Sequence, residues 1–139
     1  MLKVRARWKG SYRFDAWDSQ ERQLKMDASA EAGGEGDGFR PVELPLLGLA
    51  GCTGMDAVEI LEKMREPVEA LEVTVTSKKK EGYPAEYDGI HIEYEFKGKG
   101  LSRDKVERAV RLSEEKYCTV GRALRKATEV THTITIVEE

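Results

Sequence analysis

The chain has few of the residues that hold small secreted or metal-bound proteins together. Its 139 residues include only 2 cysteines and 2 histidines. Two cysteines are too few for the several disulfides of a small secreted domain, and no Cys-x-x-Cys pair supplies half of a zinc site. A chain of this length buries enough apolar surface to fold without such supports. We therefore expect a single domain over residues 1–139, with no metal and no cofactor.

An excess of positive charge and a long apolar run are also lacking. The 23 lysines and arginines are outnumbered by 26 aspartates and glutamates, which gives a formal net charge of −3. Such a chain has no general attraction for the phosphates of nucleic acids or of anionic membranes. No uncharged apolar run reaches the roughly 18 residues of a membrane span, and the basic segment 1–9 lacks the apolar stretch of a signal peptide. The sequence predicts a cytoplasmic protein with neither nucleic acid nor membrane as a partner.

Alternating polar and apolar residues predict strands in several segments. Residues 1–27 alternate as a half-exposed meander of strands, and the same period returns at residues 71–76, 90–97 and 130–136. Between them, residues 28–38 are small, acidic and rich in glycine, which is typical of a mobile surface loop.

Apolar residues spaced three and four apart predict a long helix from Leu44 to Arg65. Its first half is almost uncharged, so we expect that half to be buried on all sides. The glycines at positions 48, 51 and 54 each cost about 1 kcal/mol relative to alanine, a cost that suits close approach of a partner helix. The alternative is that these glycines and Pro45 break the segment into a loop and a short helix.

Two further helices complete the predicted order. Ser102 caps a helix whose inner face holds Val106, Ala109, Val110, Ser113 and Tyr117. A shorter helical segment follows over residues 120–127. Strands clustered around two main helices favour an α+β fold over a parallel doubly wound sheet.

Cys52 and Cys118 are the candidate reactive residues, and they lie so far apart in the sequence that only the fold can unite them. Each is either a small core residue or a reactive thiol. A reactive thiol must ionise, yet an unperturbed cysteine with a pKa of about 8.5 is mostly protonated at neutral pH. Asp56, one turn after Cys52, has the wrong sign to help, so a cation from the first hairpin must reach the sulfur. The candidates are Arg5, Arg7 and Arg13.

The two histidines do not point to a metal. His91 alternates with isoleucines on a charged strand face, so we expect it to be exposed. His132 shares a face with Val130 and Ile134, which favours a hydrogen-bonded core or interface histidine. Together with the two cysteines His132 could form a three-ligand site, but no local ligand pair supports one.

Three segments together resemble a known family. Pro-Val-Glu-Leu at positions 41–44, Leu-Ala-Gly-Cys-Thr-Gly-Met-Asp at 49–56 and Glu-Glu-Lys-Tyr-Cys-Thr-Val at 114–120 resemble the two cysteine motifs of the OsmC/Ohr family. These are the osmotically induced and organic hydroperoxide resistance proteins. The resemblance extends over nearly the whole chain, because the order of strands and helices fits as well.

The resemblance implies both a fold and a reaction. The fold is OsmC-like, with antiparallel sheets wrapped around a long central helix in an intertwined homodimer that has an active site at each end of its interface. The implied activity is a thiol-dependent peroxidase for small organic hydroperoxides. Cys52 would attack the peroxide, Cys118 would resolve the product as a disulfide, and a dithiol reductant would restore both thiols.

The sequence departs from the peroxidase members of this family at one position. Those members place a glutamate directly after the proline, where this chain has Val42, and here the acid follows as Glu43. One residue rotates a helical side chain by about 100°, so Glu43 cannot simply replace that acid. Glu43 and Arg13 are therefore only supporting candidates. The alternative function is a non-catalytic OsmC-like protein that binds a small apolar ligand at the dimer interface, and both cysteines could also be purely structural.

Overall fold

The computed structural model describes residues 1–138 and divides into two compact units, an N-terminal unit of residues 1–45 and a C-terminal unit that begins at Leu46. The N-terminal unit contains an antiparallel sheet in the order β1-β2-β3. Its strands are β1 (Arg5–Trp8), β2 (Phe14–Trp17) and β3 (Gln23–Met26). The meander predicted from the alternation of residues 1–27 is confirmed.

The loop after β3 is organised by a single carboxylate. Asp27 is buried, and its side chain accepts three backbone N–H groups. The donors are Ala28, Glu35 and Asp37. Burial raises the pKa of Asp27, but these donors and the nearby Arg13 outweigh that effect and leave the pKa below its usual value. A 3-10 turn at Ala30–Ala32 lies within the loop, whose mobility stays a prediction.

The predicted long helix forms without a break. Helix α1 runs over Leu44–Lys63, after a 3-10 turn at Pro41–Glu43. Pro45 lies in its first turn, where a missing N–H leaves no helical hydrogen bond unmade. The helix ends two residues before the predicted Arg65, which takes a left-handed backbone with φ of 58°. The alternative of a loop and a short helix is wrong.

Burial on all sides of the first half of α1 is not found in this chain. One face is fully buried, as expected for a core helix. The opposite face is open, with Leu47 52% exposed, Met55 75% exposed and Val58 41% exposed. An alanine Cβ at Gly48 or Gly51 would meet no atom within 4 Å. Apolar residues on both faces therefore reflect one face in the core and one face that is open among residues 1–138.

Within Pro41–Lys63, an 18-residue stretch with a mean hydropathy of 1.4 is apolar enough to cross a membrane by length and composition alone. The expectation that no apolar run reaches this length is therefore wrong for a stretch that includes one or two charged residues, although no uncharged run in the sequence is that long. The core helix of a soluble protein passes the same test, and α1 buries Leu49, Ala57 and Leu61 within the C-terminal unit.

The C-terminal unit has a second three-stranded sheet, in the order β4-β5-β6. β4 (Val68–Lys79) and β5 (Tyr87–Gly98) form a long antiparallel pair, whereas β6 (Val130–Glu138) lies parallel to β5. The chain crosses from β5 to β6 through α2 (Arg103–Leu112), a π-helical turn at Ser113–Tyr117 and α3 (Thr119–Arg125). The predicted α+β class is confirmed, and the one parallel pair follows from this helical crossover.

The core lies between these elements. One face of β5 is fully buried, and α2 contributes its apolar stripe. The buried hydrophobic residues of β5 are Ile90, Ile92, Tyr94 and Phe96, and those of α2 are Val106, Ala109 and Val110. Both sets match the alternation and the helical spacing read from the sequence.

The inner face predicted to continue from α2 to Tyr117 is wrong at its end. In the π turn the N–H of Cys118 donates to Ser113 O at 2.8 Å, which is a five-residue step. A wider turn changes which residues face inward. Glu114 is therefore buried at 8% exposure, whereas Tyr117 is 59% exposed.

Candidate functional site

The fold brings the two cysteines together within the C-terminal unit. Cys52 lies on α1 and is half-buried, and Cys118 is buried at the start of α3. The two thiols lie close enough that Cys52 is among the groups that raise the pKa of Cys118. Both side chains pack with the apolar core cluster. Two residues that are distant in the sequence thus form one pair of neighbouring sulfurs.

Cys118 is held in its protonated form. Burial raises its pKa to about 12, and the neighbouring Cys52 acts in the same direction. The N–H of Gly121 donates to Cys118 Sγ at 3.2 Å and opposes this rise without cancelling it. At neutral pH the Cys118 side chain is therefore a thiol.

Asp56 adds an unfavourable charge beside the pair. Its Oδ2 is buried and has no hydrogen-bond partner, the one such side-chain atom among residues 1–138. Burial, and then the charge of Glu59, raises the pKa of Asp56. The Asp56 carboxylate in turn raises the pKa of Cys118. The wrong-signed neighbour anticipated from the sequence therefore acts on Cys118.

A second group of polar side chains, which we call the Glu114 cluster, lies next to Cys118. It consists of Glu114, Tyr94, Arg125 and His132. The Tyr94 hydroxyl donates to Glu114 Oε2 at 2.8 Å, while Arg125 Nη2 and His132 Nδ1 lie 2.9 and 3.1 Å from Oε1. Arg125 Nη1 also donates to the main-chain oxygen of Glu114 at 2.9 Å. The buried carboxylate is thus fully used, as a buried charge requires.

Polar contacts connect this cluster to α1. Burial is the main cause of the raised pKa of Tyr94, and the nearby Thr53 side chain acts in the opposite direction. Ser113 Oγ donates to the main-chain oxygen of Thr53 at 3.0 Å. Thr53 directly follows Cys52, so the residues flanking both cysteines belong to one polar network.

Comparison of the sequence with known proteins identifies its family. The family model for OsmC-like proteins matches residues 34–133. Protein YhfA of Escherichia coli K12 is 34% identical over 137 residues, which cover 98% of each chain. The chain belongs to the OsmC-like protein family.

Solved structures agree with this OsmC-like assignment. A hypothetical protein from Aquifex aeolicus has a TM-score of 0.87 at 27% identity, and covers 100% of this chain and 98% of its own. A Legionella pneumophila structure, described as an organic hydroperoxide resistance protein OsmC, has a TM-score of 0.74. Its identity is 18% over 97% of this chain and 96% of that chain, so it supports the fold alone.

The predicted supporting residues of this OsmC-like protein lie in the N-terminal unit. Arg13 Nη2 is 4.0 Å from the carboxylate of Asp37. Arg5 and Arg7 lie over the ring of Trp17, at 4.2 and 5.3 Å from its centre. Glu43 ends the 3-10 turn before α1. Their participation in the cysteine chemistry stays a prediction.

Sequence reasoning missed Glu114 and Arg125 of the Glu114 cluster. The sequence offers Glu114 and Glu115 side by side, and only the π turn decides that the first is buried. The hydrogen bond expected for His132 is confirmed by its contact with Glu114. Its side chain is 36% exposed, so the core placement is wrong, and the interface placement stays a prediction. His91, expected to be exposed, is half-buried and contacts Thr131 and Thr133 of β6.

Proposed function

We propose that this OsmC-like protein is a thiol-dependent peroxidase that reduces organic hydroperoxides through Cys52 and Cys118. The observation that carries the proposal is the proximity of the two cysteines, which pack in one apolar core cluster and interact closely enough for Cys52 to raise the pKa of Cys118. Because Cys118 is buried and protonated, the half-buried Cys52 is the residue that meets the peroxide. Family members described as organic hydroperoxide resistance proteins support the same substrate class.

The reaction divides into three balanced steps. Cys52 thiolate attacks the distal peroxide oxygen, the O–O bond breaks, and the alcohol leaves with a proton from solvent while Cys52 becomes a sulfenic acid. Cys118 sulfur then attacks Cys52 sulfur, and the displaced hydroxide takes the Cys118 proton and leaves as water. A dithiol reductant reopens the disulfide by two exchanges and leaves as its own disulfide. We place this chemistry in the cytoplasm, where such reductants keep thiols reduced.

Intact-protein mass spectrometry after stoichiometric oxidation tests the proposal. We expect one equivalent of cumene hydroperoxide to remove both thiols, lower the mass by two hydrogens and release one equivalent of alcohol. A peptide map should show Cys52 joined to Cys118 within one chain. Unchanged thiols, or oxygen added at methionines alone, would contradict a peroxidase.

The exposed face of α1 supports the proposed homodimer. A groove of about 680 Å³ is lined by Gly51, Gly54, Met55 and Val58 of α1 and by Leu71 and Val73 of β4. Two copies related by a twofold axis would each offer this same apolar surface, as a self-complementary interface requires. Small residues along α1 let the two helix backbones approach.

Met55→Glu is expected to weaken this dimer by about 10²-fold, because it replaces buried apolar contact with an unpaired charge. Sedimentation or light scattering across a dilution series measures the change. Tyr83→Glu is the matched control, since Tyr83 is fully exposed outside the groove. A wild-type protein that is monomeric at all concentrations, or equal masses for both variants, would contradict the interface.

The alternative function is binding of a small apolar ligand without catalysis. The size of the α1 groove favours it, since ligand sites commonly enclose about 300–1,000 Å³. Native mass spectrometry separates the two functions. A retained apolar molecule together with peroxide-insensitive thiols indicates binding, whereas an empty dimer with peroxide-sensitive thiols indicates catalysis.

A further inference from the structure

We propose that Arg125 and Glu114 position Cys118 for its attack on oxidised Cys52. Both are positioning residues, acting through the main chain around Cys118. The inference rests on the proposed function, because it concerns the second step of that reaction. It assigns a role to a buried ion pair that the peroxide chemistry does not otherwise use.

The contacts of Arg125 hold the turn that precedes Cys118. Its guanidinium binds the carboxylate and the main-chain oxygen of Glu114, at the beginning of the π turn. A Cβ added at Gly121 would lie 3.0 Å from Arg125 Nη1 and 3.2 Å from Cys118 Sγ. Arg125 Nη1 and Cys118 Sγ therefore both border the small space beside the Gly121 backbone. One side chain at the end of α3 thus clamps the turn that precedes Cys118 and lies close to its sulfur.

Two residues of the C-terminal sheet hold the Glu114 side chain. Tyr94 belongs to β5 and His132 to β6, and both contact the same carboxylate. Arg125 therefore holds the π turn against two core strands rather than against another mobile segment. The turn that leads to Cys118 is therefore fixed at its beginning by contacts with β5 and β6.

A positioning role explains Arg125 and Glu114 better than a role in ionising Cys118. The positive charge of Arg125 is balanced by Glu114 at 2.9 Å, and the pKa of Cys118 stays high beside it. A disulfide, by contrast, has strict geometry, with Cα atoms within about 7 Å and a narrow range of torsion. A misplacement of about 1 Å in a reacting group can slow a step by about 10²-fold. The step that depends on this pair is therefore disulfide closure.

Separate measurement of the two oxidation steps tests the inference. After one equivalent of cumene hydroperoxide, rapid quenching with a sulfenic acid trap reports Cys52 oxidation, and intact mass reports disulfide closure. We expect Arg125→Gln to slow closure by about 10²-fold while the first step changes less than about twofold. Arg125→Lys, which keeps one donor to Glu114, should recover part of the rate. Glu114→Gln should resemble Arg125→Gln.

The controls distinguish positioning from loss of fold. Arg122→Gln removes an exposed arginine from the same helix and should leave both steps unchanged. Equal slowing of both steps in Arg125→Gln, or closure at the wild-type rate, would overturn the inference. If Arg125→Gln does not fold, the closure rates of Arg125→Lys and Glu114→Gln decide. A wild-type protein that forms no sulfenic acid refutes the peroxidase instead, and diamide-driven closure then still compares the variants.

Discussion

Cys52→Ser is expected to lower dithiol-dependent consumption of cumene hydroperoxide by about 10³-fold or more, to the rate of the dithiol alone. Serine keeps the size of the side chain but offers no thiolate to the peroxide oxygen. Cys118 cannot take over, because it is buried and its pKa is about 12. Continuous assay of hydroperoxide loss measures the effect.

Cys118→Ser is the matched variant, since it removes the other sulfur of the same pair. We expect it to consume one equivalent of hydroperoxide at nearly the wild-type rate and then to stop. Its Cys52 should accumulate as a sulfenic acid, which a specific trap detects by mass. Equal and slow consumption by wild type and both variants would contradict the assigned roles.

Alkylation of Cys118 by iodoacetamide at pH 8 is expected to be on the order of 10³-fold slower in the native protein than in the unfolded chain. Only the thiolate reacts, and an unfolded cysteine has a pKa of about 8.5. The native pKa of about 12 leaves far less thiolate at this pH. Peptide mapping after timed quenching separates Cys118 from Cys52.

The pH dependence gives this prediction a second readout. The native rate should rise about tenfold per pH unit up to about pH 12, whereas the unfolded rate should level off above about pH 9. The same shift makes the free energy of unfolding depend on pH. Because the folded pKa is the higher one, the contribution of Cys118 to that free energy is fully present below the unfolded pKa and is lost as pH rises towards 12. Cys52→Ser should speed Cys118 labelling only in part, because burial is the largest cause of the shift. Labelling at the unfolded rate would contradict a buried thiol.

Strands and helices could be predicted wherever the apolar residues follow one clear spacing in the sequence. The residues alternating with His91 and Glu93 place Ile90, Ile92 and Tyr94 on one buried face, and the structure agrees. The α1 helix could also be predicted, because a long apolar period outweighs the cost of its glycines. Its open face could not, since apolar composition does not distinguish a core contact from a surface that awaits a partner.

The surroundings of the cysteines were harder to predict. The motifs identify Cys52 and Cys118, but they do not identify Arg125, whose Nη1 borders the same space beside Gly121 as the sulfur of Cys118. A helical period of 3.6 residues places Tyr117 inward. The wider π turn buries Glu114 instead, and no residue type in the sequence predicts that turn. Local backbone irregularity of this kind depends on packing against β5 and β6.

Gly121 leaves little room for a larger residue at the start of α3. A methyl group there would lie 3.0–3.3 Å from atoms of Arg125, Cys118 and Leu49. A side chain at position 121 must therefore displace at least one of these neighbours. Because Leu49 belongs to α1, the spacing between α1 and α3 is set at this point by the absence of a side chain.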